Sequence, residues 1–528
     1  MTSEPPKSFA QHNVDAASDT DRVEPCQLAH VTWYREPHLR RLYLLSIFLL
    51  IGSATTGFDC MLQNTSQQMD AWKAFFPDHA DVNKLGILIN MYNIGSITAF
   101  FIAPYMADIW GRKPTIMVGC VIMIAGACVT AFSSGYGMYI GGRFVLGFGN
   151  SLSHACSPML LTEICHPQHR GRMTTVYNCL WNLGSLFVSL AGWATASIAN
   201  DWSWRSITFL QAATSIIQLV GVWWVPESPR FLVSRGKPGQ ALAMLAEHHG
   251  GGDPDNATVA FEYRKIKETI EAERKANNST SYLDFFKTKG NRWRLTIVVS
   301  IGIISQYSGN ALFSNYIDIV YEGAGIQAQH KKLALSAGKT ILDLLISVAA
   351  ALSVDKVGRR PLFLTSSAGM VAAFACWTIP NGGIRYTNGS AGYAQIVFVW
   401  IFGIFYDIGF AGLLIAYTLE ILPYHLRARG FVILNIVVQA VLAIGNQTNK
   451  LAWNNLPRHW NFMLFYTLWN LCEFVFVYFV YVETKGPTLE EIARIFDGQD
   501  EVPSIRLDKV DNEARVHDQG YVSETRAA

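Results

Sequence analysis

Residues 108–114 read Asp-Ile-Trp-Gly-Arg-Lys-Pro, and residues 355–361 read Asp-Lys-Val-Gly-Arg-Arg-Pro. Each stretch sets an acid, a glycine and two bases behind one long apolar run and ahead of the next. The echo extends outward from there. Glu163-Ile with Arg170 returns as Glu420-Ile with Arg427, and Pro226-Glu227-Ser228 returns as Val482-Glu483-Thr484. Loop motifs that recur in the same order mark two copies of one unit.

The runs between these motifs set the class. A bilayer core needs about 20 apolar residues per helix. Twelve runs meet that length, near 42–62, 85–106, 115–133, 138–161, 174–198, 206–225, 295–320, 333–354, 361–380, 394–419, 430–452 and 461–482. Residues 115–142 and 175–200 hold no charge at all. Matched motifs stand six spans apart, which preserves orientation. The expected fold is therefore an all-α, polytopic membrane protein with twelve transmembrane helices in two parallel six-helix repeats, 42–225 and 294–482. A central loop (226–293) joins them, and polar tails (1–41 and 483–528) flank them. Parallel repeats of this kind place a transport site between the halves near midplane.

Composition excludes the other classes. Of 528 residues 50% are hydrophobic and only 16% charged, against about 25% charged in an average soluble domain. Forty-two bases against 40 acids leave +2, and no basic stretch offers a nucleic acid a partner. The 9 cysteines form no Cys-x-x-Cys, so no zinc site or disulfide framework is expected. No nucleotide cradle, His-Glu-x-x-His or Gly-x-Ser-x-Gly occurs, so neither an enzyme nor a cofactor is expected. Residues 1–41 show no apolar signal-peptide core. Arg112, Lys113, Arg170, Arg230, Arg235, Arg359, Arg360 and Arg427 crowd the side that bears the tails and central loop. The positive-inside rule puts that side, with both termini, in the cytoplasm. Asn388-Gly-Ser then lies outside as a glycosylation candidate.

Several motifs stand in order along residues 42–497: Gly57-Phe58-Asp59; Asp108…Gly111-Arg112-Lys113; Gly142-Arg143…Gly147…Gly149; Pro158…Glu163…Arg170-Gly171; Pro226-Glu-Ser-Pro-Arg230; Glu420-Ile-Leu-Pro423…Arg427; and Glu483-Thr-Lys-Gly486. In this the chain resembles the major facilitator superfamily and, within it, the sugar porter family. Ser308-Gly309-Asn310, residues 417–424 and residues 482–491 resemble its fungal lactose permease-like branch. The resemblance implies a monomeric plasma-membrane transporter in the lipid bilayer. It would move a sugar, disaccharide or hexose, together with a proton by alternating access. A sugar-sensing receptor on the same fold and an exporter of a small hydroxylated metabolite are the alternatives.

The resemblance also assigns roles. Asp59 and Arg143 match the acid and arginine that titrate as a pair in proton-coupled members; the alternative is a fixed ion pair. Sugar recognition needs clustered neutral hydrogen-bond groups in an apolar pocket. Three amide pairs at i, i+4 spacing share helix faces: Asn178 with Asn182, Gln306 with Asn310, and Asn435 with Gln439. Asn315 and Tyr316 follow as further substrate-binding candidates, on a stretch placed to serve as an outer gate. Asp343 stands where the family often has a sugar-binding asparagine; it either accepts from substrate or pairs with Lys339. Asp407 falls where the family has an acid near the site. Glu473 has no motif, and His154 reads as an interior histidine. Ile415 replaces the family's sugar-stacking tryptophan, which argues against simple glucose recognition. Asp108, Arg112, Glu163 and Arg170, with Asp355, Arg359, Glu420 and Arg427, are expected to form a cytoplasmic latch that closes in one conformer. Residues 238–248 and 259–275 read as amphipathic helices, and 488–496 resembles a third.

Overall fold

The computed structural model describes residues 31, 33–277, 282–383, 389–455, 459–485 and 495–497. Among them the chain is helical with connecting turns. The first six long helices are Pro37–Gln67, Val82–Ile109, Arg112–Ala131, Tyr136–Ile164, Arg170–Thr195 and Trp202–Val222. Span seven is broken into Lys289–Tyr307 and Asn310–Gly323 by Gly309, whose φ of 115° is left-handed. Spans eight and nine are Gln329–Val357 and Arg359–Gly383. Span ten runs Gly389–Tyr406, widens into a π-helical turn at Asp407–Ala411 and continues as Gly412–Ile421. Tyr424–Asn455 and His459–Val480 complete the twelve. Residues 384–388, with Asn388, and 486–494, with most of the third expected short helix, lie outside the described residues.

Nine of these helices are long and apolar enough to cross a membrane on their own composition. Spans four, five and six are not among the nine, and their polar residues explain it. Asn150, Ser151 and Ser153 on span four, Asn182 and Ser185 on span five, and Gln211 and Gln218 on span six are all buried. Helices can carry such groups through a bilayer when they face neighbouring helices rather than lipid.

The duplicated loop motif has a structural meaning. Gly111 and Gly358 take left-handed φ angles of 110° and 106°, which glycine alone adopts without strain. They turn the chain into spans three and nine. Glu227 then accepts from the Lys113 backbone N–H at 3.2 Å. Glu483 accepts from the Arg359 and Arg360 N–H groups at 3.0 and 3.1 Å. A carboxylate thus satisfies the open N-terminus of the same helix in each repeat, where the helix dipole favours it.

Between the two mid-chain repeats, Pro238–His249 and Ala257–Asn277 form helices. Their Leu245, Val259, Ile266 and Ile270 join one apolar cluster with Leu42, Ile116, Leu160 and Leu161 of the N-terminal half. His249 fixes this packing: its ring contacts Glu262 at 3.0 Å and the Ile164 carbonyl at 3.0 Å. These helices mark one end of the molecule, the loop face; the opposite end is the far face.

Within the N-terminal half, spans one and five cross through glycines. A Cβ on Gly57 would collide with the Trp181 carbonyl, and one on Gly184 with the Ala54 carbonyl. Such contact lets backbones approach and gain dispersion where no hydrophobic force drives helices together. Gly184→Leu should therefore separate the two helices. Overpacking costs about 1–3 kcal/mol in ordinary cores, and here the obstacle is backbone, so the unfolding temperature in detergent should fall by several degrees. An unchanged melting curve would refute this account of the crossing.

Candidate functional site

Asp59 is fully buried on span one. One carboxylate oxygen accepts from the Gln211 amide of span six, and the other has no hydrogen-bond partner. Arg143, also buried, stacks its guanidinium over the Tyr92 ring at 5.0 Å. Among the described residues no ion pair joins it to Asp59, although its charge still acts on that acid. Tyr92 is held in turn: Asn150 donates to its hydroxyl, and Thr56 donates to Asn150 at 3.0 Å. Spans one, two, four and six therefore converge on a buried acid and a buried base that no ion pair joins among the described residues. Gln211 was not legible as a site residue. Its signal is the Gln211/Gln218 pair, two amides in the uncharged run 206–225.

The predicted amides are used unequally. Asn182 donates to Ser347 at 2.7 Å, tying span five to span eight. Asn178, one turn earlier, is partly exposed. Asn310 donates to Gln306 at 3.3 Å across the span-seven break. Asn435 spends its amide N–H on the Phe431 carbonyl of its own helix at 2.8 Å. The Gln439 carbonyl is buried without a partner. Asn315 and Tyr316 lie within the second half of span seven, and their side chains are outside the description. Asp343 pairs with Lys339 at 2.6 Å.

The motif charges close within each half rather than between halves. Arg112 reaches Asp108 at 3.7 Å and Glu163 at 3.4 Å. Arg359 reaches Glu420 at 3.0 Å; the Asp355 side chain is outside the description. Arg170 does not join Glu163. Its partner is Glu262 of the central loop at 3.7 Å, and its Nε donates to the Cys165 carbonyl at 3.1 Å. Arg427 likewise donates to the Leu422 carbonyl at 3.1 Å.

Among the described residues, the ion pairs that do cross between halves lie at the far face. Lys73, on the short helix Asp70–Phe75 after span one, binds Asp318 and Glu322 of span seven at 2.7 Å each. Lys332 of span eight binds the same two acids at 2.8 Å each. Two cations and two carboxylates make a neutral ring over the seam. Below it, Ser336 donates to Gln68 at 3.1 Å, Ser189 contacts Thr340 at 3.3 Å, and Asn90 donates to the Ala443 carbonyl at 3.0 Å. The halves are thus held together from the far face down to Asn182. This ring was missed in the sequence, where no motif contains Lys73 or Lys332. The i, i+4 acids Asp318 and Glu322 were its signal.

Residues 45–496 match the family described as "Sugar (and other) transporter". The chain belongs to that family. This family member is 28% identical over 457 residues to a probable metabolite transport protein, CsbC, of Bacillus subtilis, covering 86% of the chain and 94% of the relative. It is 25% identical over 500 residues to a high-affinity glucose transporter of Kluyveromyces lactis, covering 90% and 88%. Its fold superposes on the major facilitator superfamily protein XylE, described as a proton:xylose symporter, with a TM-score of 0.71 at 20% identity, over 86% of this chain and 99% of that one. The family and the long apolar helices make the chain a multi-pass membrane protein of the twelve-helix major facilitator fold.

Lys73→Ala should loosen the far face. Spin labels at Ser134→Cys and Gln327→Cys, in a chain cleared of its exposed native cysteines, should report a longer and broader distance distribution. An unaltered distribution would reduce the ring to surface pairing.

Proposed function

We infer that this chain is a secondary transporter of a sugar, hexose or disaccharide, driven by proton symport through alternating access. One observation carries the reading: Asp59 is a fully buried carboxylate with an unpartnered oxygen, facing an arginine that no ion pair joins to it. A charged carboxylate at membrane depth is costly without a cation against it. An acid that closes on Arg143 in one conformer and stands apart in another alternately releases and takes a proton. Rocking of the two repeats supplies the two conformers.

The sugar site lies between the halves. Asn178 and Asn182 contribute from one side, and Gln306, Asn310, Asn435 and Gln439 from the other. The Gln306–Asn310 bond and the open Gln439 carbonyl leave a neutral polar surface that hydroxyl groups can match. Asp343 is set apart from this site because Lys339 occupies its carboxylate. Taking the loop face as cytoplasmic, as the basic residues indicate, the ring on the far face is the outer gate, and this is the inward-facing state. The motif charges Arg112–Glu163 and Arg359–Glu420 then brace the cytoplasmic ends of each half. The plasma membrane is the corresponding location.

The test uses cells lacking their own sugar porters and a panel of labelled glucose, xylose and lactose. Wild type should concentrate at least one of them, and an uncoupler should abolish the gradient. Asp59→Asn should still exchange that sugar across the membrane but should bring inside and outside concentrations only to equality. Undiminished accumulation in this variant would overturn proton coupling through Asp59.

A further inference from the structure

A second group of charges lies in the C-terminal half, apart from Asp59 and from the amides. Lys339 and Asp343 stand one turn apart on span eight, joined at 2.6 Å, with side chains 20% and 18% exposed. Span ten receives them on bare glycine: a Cβ on Gly403 would lie 3.2 Å from the Lys339 Nζ and 3.4 Å from an Asp343 oxygen. One turn further, Asp407 opens the π-helical turn. It is 7% exposed, and its Oδ2 has no hydrogen-bond partner. The charged groups that act on it are Asp343 and Lys339. Spans nine and ten enclose it further, with Ser366 of span nine against Gly409 and Tyr406 beside it in sequence; Tyr321 of span seven acts on Lys339. Single π turns inside α-helices recur at functional sites.

Counting charge decides what this cluster can hold. One lysine faces two carboxylates. With both acids ionised the group is net negative at membrane depth, which is costly. With one proton bound it is neutral. Two carboxylates that share one counter-charge titrate as a pair, not as separate acids.

Its position supplies access. On span eight, Thr340 meets Ser189 and Ser347 meets Asn182 of the N-terminal half. Asp343 lies between those two contacts on the same helical face. The ion pair therefore borders the seam that must part when the repeats rock, and each rocking step changes which side's water reaches it.

We propose that Lys339, Asp343 and Asp407 form a second proton-binding site, carried by the C-terminal repeat and distinct from Asp59–Arg143. Loading forms one O–H bond on the Asp343–Asp407 pair with a proton from water on the open side. Unloading breaks that bond and returns the proton to water on the other side. No electron moves, and Lys339 keeps its charge throughout. The transporter then carries one titratable carboxyl centre in each half.

The test needs no substrate, so it stands or falls separately from the sugar reading. Infrared spectra of the purified full chain in liposomes at neutral pH report protonated carboxyl groups through their C=O band. All measurements use the Asp59→Asn background, which removes the first centre; any contribution from buried Glu473 is constant across the set. A carboxyl band should remain in that background and be lost on adding Asp407→Asn. It should equally be lost on adding Asp343→Asn, because one lysine and one carboxylate are neutral without a proton, even though Asp407 is intact. Adding Lys339→Gln should double it, since two uncompensated acids both take protons. A band unchanged by Asp407→Asn, or one lost with Asp407→Asn but kept with Asp343→Asn, would overturn the shared site. Should Asp407→Asn fail to fold, the Asp343→Asn and Lys339→Gln pair, which push the band in opposite directions, decides the matter alone.

Discussion

A carboxylate with no cation against it, sealed inside a helix bundle, is the constraint around which this structure is arranged. Asp59 is fully buried. Its one hydrogen bond comes from Gln211, its other oxygen has no hydrogen-bond partner, and Arg143 is drawn over Tyr92 instead. That arrangement requires the helices of this half to meet closely, and glycine lets two pairs of them do so. Gly95 and Gly147 bring spans two and four backbone to backbone, and Gly57 and Gly184 do the same for spans one and five. Close packing is thus what holds a poorly satisfied acid in place.

The architecture was legible because loops repeat what helices cannot. Twelve apolar runs give a count but no arrangement. The acid–glycine–base motif gives the arrangement, since Gly111 with Glu227 and Gly358 with Glu483 build the same capped helix start twice. Those pairings are visible in the sequence as an echo between Pro226-Glu227-Ser228 and Val482-Glu483-Thr484. Spans four to six were legible by length and, Arg143 apart, by lack of charge, although their polar residues weaken their hydropathy.

The sites were less legible, for a physical reason. A side chain's partner across a bundle has no fixed sequence spacing. Lys339 and Asp343 sit at i, i+4 on one helix and could be paired by inspection. The partners of Arg170, Asn182 and Asp59 lie on other helices, and for these the motif reading pointed elsewhere or nowhere. Arg170 turns to Glu262 of the central loop, because that loop folds against the N-terminal half and brings a buried acid to it. The ring around Lys73 was missed on the same ground: its members come from a short helix after span one, from span seven and from span eight.

That ring has an inner and an outer rung, and the difference ties the molecule to its medium. Lys332 and Asp318 have side chains only 3% and 8% exposed, whereas Lys73 and Glu322 are 23% and 46% exposed. Dissolved ions screen exposed charges over about 10 Å at moderate ionic strength and act far less on buried ones. Brine on the far face would therefore slacken the outer rung while leaving the inner rung intact. The grip between the two halves at that face then answers to the salinity of the surroundings, through a lysine on the short helix after span one.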